Sequence, residues 1–500
     1  MENTLANDSN IFKLKWKFFT YRVVSYFSFL LIPIYAQKDL HIHHVALALM
    51  MTSYILFIVS QWFLLGKEID HRLKIYFRVN SSIDRVVYRL FLGMFFFILL
   101  FNLINLLDSK WIYNSYWIVW ILLGLFYSWP TRGKIIQESV SSNFGEFKFL
   151  DNFEKTLFGL IILMFIFSLP DLPPLVNFEM LKLYFDPLEK FGNPLWNFLL
   201  INYYPFKNYP QLLRLAFSLH FYIVGIGLFL LVFYAFLRFF VSRRLSLLGV
   251  FALISSWSFS RTLLNNVEFS MLTTYSLLWI WTLLWVTKSS TYRAGLFMGL
   301  VSFWGALLNP DYGILVFFQV SLSLFIFLKE RTLWFKRQFL KYALFGVVLT
   351  ILRLFLHSDL LDSVHPLDLG IFQQFVREID RKAFFILSAF GIVMIILKYF
   401  KPKVVVVKDF QIERESLTIF LTSFSIYVLF SLFWDDSLVS GFGSMWPLAF
   451  LSLIPLEILF QSLSRLRSNR NMIYLIYILI CLLDSHFEGR VKVFLKIFNN

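Results

Sequence analysis

Uninterrupted apolar runs recur along this chain, and their length restricts its fold more than any other property. Residues 90–107, LFLGMFFFILLFNLINLL, and residues 223–237, IVGIGLFLLVFYAFL, carry no charge. A helix rises about 1.5 Å per residue and the hydrocarbon core of a bilayer is about 30 Å thick, so roughly 20 apolar residues cross it. By that ruler the chain holds about 14–15 candidate spans. They lie near 18–36, 44–66, 86–107, 111–129, 157–170, 213–237, 246–260, 269–287, 294–309, 312–328, 342–356, 383–397, 417–434, 444–462 and 472–484. Backbone amides in lipid must be bonded within their own segment, so such runs are helices. Strands of a membrane barrel would alternate in polarity, and these runs do not. The expected fold class is therefore all-α: a polytopic transmembrane helix bundle.

Composition agrees. The chain is 58% hydrophobic, 20% aromatic and 15% charged, with 63 Phe, whereas soluble domains carry about 45–50% apolar and about 25% charged residues. A lone cysteine, Cys481, excludes an intrachain disulfide and a cysteine zinc site. The first apolar segment follows lysines but no small-residue cleavage site, so it reads as a retained helix.

Where the charges fall sets the orientation. With the N-terminus in the cytoplasm, most of the 46 Lys and Arg residues lie in inward-facing gaps. Lys67, Arg72, Lys74, Arg78 and Arg85 fill one such gap; Lys398, Lys401, Lys403 and Lys408 lie in another. Acids show no such bias. This is the positive-inside pattern, and it accounts for the net charge of +15 without nucleic acid. The natural partner of these loops is anionic membrane lipid. There is no Gly-rich phosphate loop, no nucleophile elbow and no gap large enough for a soluble ATP-driven domain.

The segments divide into a four-span N-terminal portion, residues 1–130, a cytoplasmic connection, 131–156, and a main bundle, 157–500. Two outward gaps are long, 171–212 and 357–382. Loops of that length usually carry function. The mixture of aromatic residues, lysines and prolines in 171–212 suggests helices lying in the membrane interface.

The outer face collects the reactive side chains. Asp171 and Asp186 stand at the boundary, where a partly desolvated carboxylate acts as a general base; each also suits a turn cap. His357, Asp359, Asp362 and His365 fall in one short stretch with donors that suit a divalent metal, or form a solvated hairpin. His41, His43 and His44 add to the outward histidines. Arg214, Arg261, Glu268, Arg353, Arg377, Arg381 and Lys382 lie near outer ends of spans. The cations would cradle a lipid-linked phosphate, or reach individually to headgroups. Asp311 sits in an Asn-Pro-Asp turn. His220 and Glu457 fall inside apolar spans, where an ionisable group is costly and is a functional candidate.

The layout of residues 153–356 carries a resemblance. A span ends in FSLPDLPPL and a long exterior loop follows. Three further spans run through RLAFSLHFYIVGIGLFLLVFYAFLRFFVSRRLSLLGVFALISSWSFSRTLLNNVEFSMLTTYSLLWIWTLLW, then come a basic turn KSSTYR and a glycine-bearing segment AGLFMGLVSFWGALLNPDYGILV. This succession resembles the GT-C superfamily of polytopic glycosyltransferases. The resemblance implies a sugar donor carried on polyprenyl phosphate and an acidic residue in the first exterior loop, acting as base or beside a divalent metal. Asp186 is the best positional match and Asp171 the second. The chain departs from the pattern in its four extra N-terminal spans and in lacking an acidic pair in that loop. The expectation is an inner-membrane sugar transferase working on the exterior face; the alternatives are a multi-pass transporter and a non-catalytic membrane scaffold.

Overall fold

The computed structural model describes residues 44–73, 82–106, 150–167, 202–203, 209–256, 267–288, 297–301, 382–400, 445–462 and 467–483, with single positions at 16, 20, 24, 28, 206, 304, 348, 351, 420, 421, 425, 489, 491 and 492. Among these residues the structure is all helix and turn, with no strand. In chain order the helices are α1 (His44–Leu73), α2 (Ser82–Leu106), α3 (Asn152–Phe167) and α4 (Pro210–His220). A π-helical turn (Phe221–Ile226) leads into α5 (Gly227–Leu237). Then follow α6 (Arg243–Ile254), α7 (Val267–Lys288), α8 (Lys382–Phe400), α9 (Met445–Ser462) and α10 (Arg467–Leu483).

Two described stretches are long and apolar enough to cross a membrane, Ala46–Asp70 and Leu215–Leu237. Shorter apolar stretches are Ile386–Leu397, Trp446–Leu456 and Asn471–Leu483. The segments expected at 111–129 and 312–328 lie outside the described residues. The chain forms two compact units, one of Met1–Phe149 with Pro174–Val224 and one of Leu150–Pro173 with Gly225–Asn500.

In the first unit α1 and α2 form an antiparallel pair whose backbones touch. A Cβ on Gly66 would lie 1.7 Å from the Arg89 carbonyl oxygen, and one on Gly93 would lie 1.7 Å from that of Trp62. Only glycine permits this approach, since any Cβ would overlap the facing backbone. One turn beyond Gly66, Asp70 accepts a hydrogen bond from Arg89 Nε at 2.8 Å. Both side chains are almost wholly buried. An arginine that the sequence places inside a span is thus held by a carboxylate on the facing helix.

In the second unit α8 and α9 pack through a complementary device. Pro455 lies inside α9 and has no N–H, so the Leu451 carbonyl one turn earlier loses its helical donor. Gly391 of α8 lies against that carbonyl, where a Cβ would come within 2.1 Å of the oxygen. One turn earlier on α8, Ser388 Oγ donates to the Leu448 carbonyl at 2.9 Å. Ser388 meets Leu448 and Gly391 meets Leu451, so α8 and α9 run parallel. Aromatic rings fill this unit's core: Phe236 lies 5.5 Å from Trp446, 5.6 Å from Phe420 and 5.2 Å from both Phe240 and Phe450. On α7, Trp281 and Trp285 stack at 5.4 Å, one helical turn apart.

Candidate functional site

Among the described residues of the first unit, a buried polar group lies where Asn202, Tyr203 and Phe206 meet α1 and α4. Asn202, Tyr203 and Phe206 close the long segment that the sequence places outside, and all three are buried. The Tyr54 hydroxyl, on α1, donates to the Asn202 carbonyl. The Tyr203 hydroxyl is bonded to Nδ1 of His220. Burial holds the Tyr203 phenol well above its usual range, and the nearby Tyr54 hydroxyl adds to the effect. Tyr203 therefore keeps its proton, and the direction of its bond to Nδ1 follows the tautomer of the imidazole.

Rings hold this group in place. The Tyr203 ring stands edge-on to His220 at 5.3 Å, and Trp62 stands edge-on to His220 at 6.3 Å. Tyr54 meets Tyr203 at 6.1 Å and Phe206 at 5.7 Å. His220 is the last residue before the π turn, and π turns inside apolar helices occur often at functional sites. The arrangement clamps the end of the 171–212 segment to two helices and holds an imidazole–phenol pair away from water.

A second polar group lies in the other unit, at the starts of α3 and α6. Asp151 and Glu154 form a reciprocal cap: Glu154 N–H donates to Asp151 Oδ1 at 2.8 Å, and Asp151 N–H donates to Glu154 Oε2 at 3.0 Å. Arg243 then grips Glu154 with two parallel bonds, Nε to Oε1 at 2.9 Å and Nη2 to Oε2 at 2.7 Å. Arg244 pairs with Asp151. Two cations in the first turn of α6 oppose its dipole, and the acids of α3 offset them. Burial alone would raise the Asp151 carboxyl; the Glu154 amide, the Arg244 bond and charge, and the Arg243 charge outweigh it and hold the group below its usual value. With two acids against two arginines and fork-to-fork geometry, the group is a structural tie.

Most of the residues expected to carry chemistry lie outside the described residues: Asp171, Asp186, Arg261, Arg353, Arg377, Arg381, His357, Asp359, Asp362 and His365. Arg214 is on α4, upstream of His220 in the first unit; Glu268 is in the first turn of α7 and Lys382 begins α8, both in the second. Among the described residues no three His, Cys, Asp or Glu side chains come together as metal ligands. Sequence reasoning singled out His220 but not its partner Tyr203, and missed the four-residue tie. The tie had a signal: DNFE directly before an apolar run is a helix-start pattern, and it moves the start of the 157–170 segment back to Asn152. No protein-family model, curated protein or solved structure matches the chain significantly.

Proposed function

We propose that the chain is a multi-pass protein of the bacterial inner membrane that moves a sugar from a polyprenyl-phosphate carrier to an acceptor on the exterior face. Helix direction supports the multi-pass arrangement. The charge map assigns the starts of α3, α6 and α10 to the inward side and the starts of α8 and α9 to the outward side. Within the second unit, α3 and α6 begin side by side through Glu154 and Arg243. The parallel pair α8 and α9, and the antiparallel pair α1 and α2, agree with the same map.

The observation that carries the transferase reading is the anchoring of the 171–212 segment. Tyr203 and Asn202 tie its end to α1 and to α4, the helix that carries Arg214. Under this reading Asp186 deprotonates the acceptor hydroxyl, and outer arginines offset the charge that develops on the departing phosphate. The test uses the full chain in liposomes with a panel of undecaprenyl-phosphate hexoses and follows release of undecaprenyl phosphate. Turnover that Asp186→Asn abolishes, with insertion unchanged, supports the assignment. Wild-type turnover in Asp186→Asn removes Asp186 as the base, and a protein that neither binds nor turns over any donor ends the reading.

One observation favours a transporter instead: the π turn interrupts a candidate span beside a buried imidazole, the kind of broken helix that lines midplane sites. That reading predicts solute uptake driven by a pH gradient in proteoliposomes and its loss in His220→Phe.

A further inference from the structure

The exposed side chains of α3 and α10 change character once along each helix. On α3, Asn152, Lys155 and Thr156 are exposed, and beyond them Phe158, Ile162, Leu163 and Ile166. On α10, Asn471 is exposed, and beyond it Met472, Leu475, Ile476, Leu479 and Leu483. The opposite faces are already packed: Leu157, Ile161 and Met164 are buried on α3, and Tyr477 of α10 is bonded to Ser452 Oγ at 2.9 Å. The Phe153–Tyr474 contact at 5.1 Å joins the two helices within about one turn of each changeover. A tyrosine beside such a changeover is typical of the edge of a bilayer. The Asp151–Glu154–Arg243–Arg244 tie sits at that same end of α3 and α6.

An amphipathic helix lying flat on a membrane has a polar side along its whole length. Helix α10 has a polar end instead. Its first residues are RSNRN, and the remaining run MIYLIYILICLL has no charged residue and no amide side chain on any face. Uninterrupted exposed apolar stripes of this length on two neighbouring helices require a cover other than water. The polar-to-apolar order along both fits entry into lipid from one side.

We propose that Thr156 and Asn471 mark the water–hydrocarbon boundary of the second unit, and that α3 and α10 enter the same leaflet side by side with their apolar stripes against acyl chains. Ile166 then lies about 12 Å beyond Phe158, and Leu483 about 16 Å beyond Met472, at roughly 1.5 Å per residue. Both described ends reach the middle of a hydrocarbon layer about 30 Å thick. The inference rests on the membrane placement proposed above and not on the sugar chemistry.

The test places one nitroxide at a time on the full chain in phosphatidylcholine liposomes, in a Cys481→Ser background. Labels go at Thr156, Ile162, Ile166, Asn471, Leu475, Leu479 and Leu483, and accessibility to oxygen is compared with accessibility to a nickel chelate. The expected result is chelate preference at Thr156 and Asn471, with oxygen preference rising steadily to a maximum at Ile166 and at Leu479–Leu483. Equal depth along α10 overturns the proposal in favour of a flat helix. Chelate access at Ile162 or Leu475 overturns it in favour of water, and exclusion of both reagents there in favour of a protein cover. A second measurement keeps the native cysteine: a benzophenone amino acid at Ile162 or Leu475 is expected to yield lipid adducts, and protein-only adducts refute the assignment. Loss of sugar turnover leaves these depth profiles unchanged, so the two proposals fail separately.

Discussion

Adding a single methyl group to Gly93 tests the packing of the first unit. The new Cβ would stand 1.7 Å from the Trp62 carbonyl oxygen, which belongs to the backbone of α1 and cannot rotate away. An aliphatic carbon and a carbonyl oxygen come no closer than about 3.3 Å, so α1 and α2 must separate locally by roughly 1.5 Å. Overpacking of this kind typically costs about 1–3 kcal/mol. Separation also stretches the Asp70–Arg89 bond across the same helix pair. Gly66→Ala meets the same obstacle at the Arg89 carbonyl. One separation relieves both clashes, so the double variant is expected to cost clearly less than the sum of the single ones. Gly227→Ala is the control, since nothing lies within 4 Å of a Cβ there, and a helical Gly→Ala change is neutral or favourable when space is open. The assay is thermal unfolding of the purified chain in detergent micelles. A Gly93→Ala melting curve that overlays wild type or the Gly227→Ala control refutes the close crossing, and strictly additive losses refute the shared separation.

Three other outcomes are expected. Glu154→Gln leaves Arg243 without its carboxylate; breaking a buried pair costs about 3–5 kcal/mol, and the partial exposure of Arg243 puts this one at the lower end, read as a lower unfolding midpoint in the same assay. The Asp151 carboxyl is held below its ordinary value, so its contribution is fully present above that ordinary value and is lost as pH falls toward the folded one; Asp151→Asn is expected to flatten stability against pH in that acid window, and an unchanged acid limb counts against the pairing. Gly391→Ala brings a methyl group within 2.1 Å of the Leu451 oxygen and is expected to lower the midpoint by an amount comparable to Gly93→Ala, whereas Gly159→Ala, in open space, is not.

Periodicity and run length made the helices legible. The segments read at 86–107, 269–287 and 444–462 correspond to Ser82–Leu106, Val267–Lys288 and Met445–Ser462, because long apolar stretches leave the backbone no other way to bond itself. What was not legible was pairing across the sequence. Nothing local to Arg89 names Asp70 as its partner, and nothing local to Gly391 reveals that Pro455 has left the Leu451 carbonyl without its helical donor. The Tyr203–His220 bond joins residues on either side of Pro210, so it exists only once the chain has turned back on itself. Hydropathy also reads one continuous span over 213–237, where the structure widens six residues into a π turn; a change in hydrogen-bond register leaves no trace in apolarity.

Under the multi-pass placement proposed above, the arginine–carboxylate tie between α3 and α6 bears on how the chain is threaded. Orientation is decided while segments emerge, when acids count for little and each Lys or Arg acts at full charge. Arg243 and Arg244 open their own helix and follow their eventual partners by about ninety residues of synthesis. They can therefore act as an unpaired anchor during insertion and be silenced on assembly. Substitutions there would then have two separable phenotypes, misoriented chains and correctly oriented but loosened ones, and reversing the tie by exchanging its acids and arginines would restore only the second.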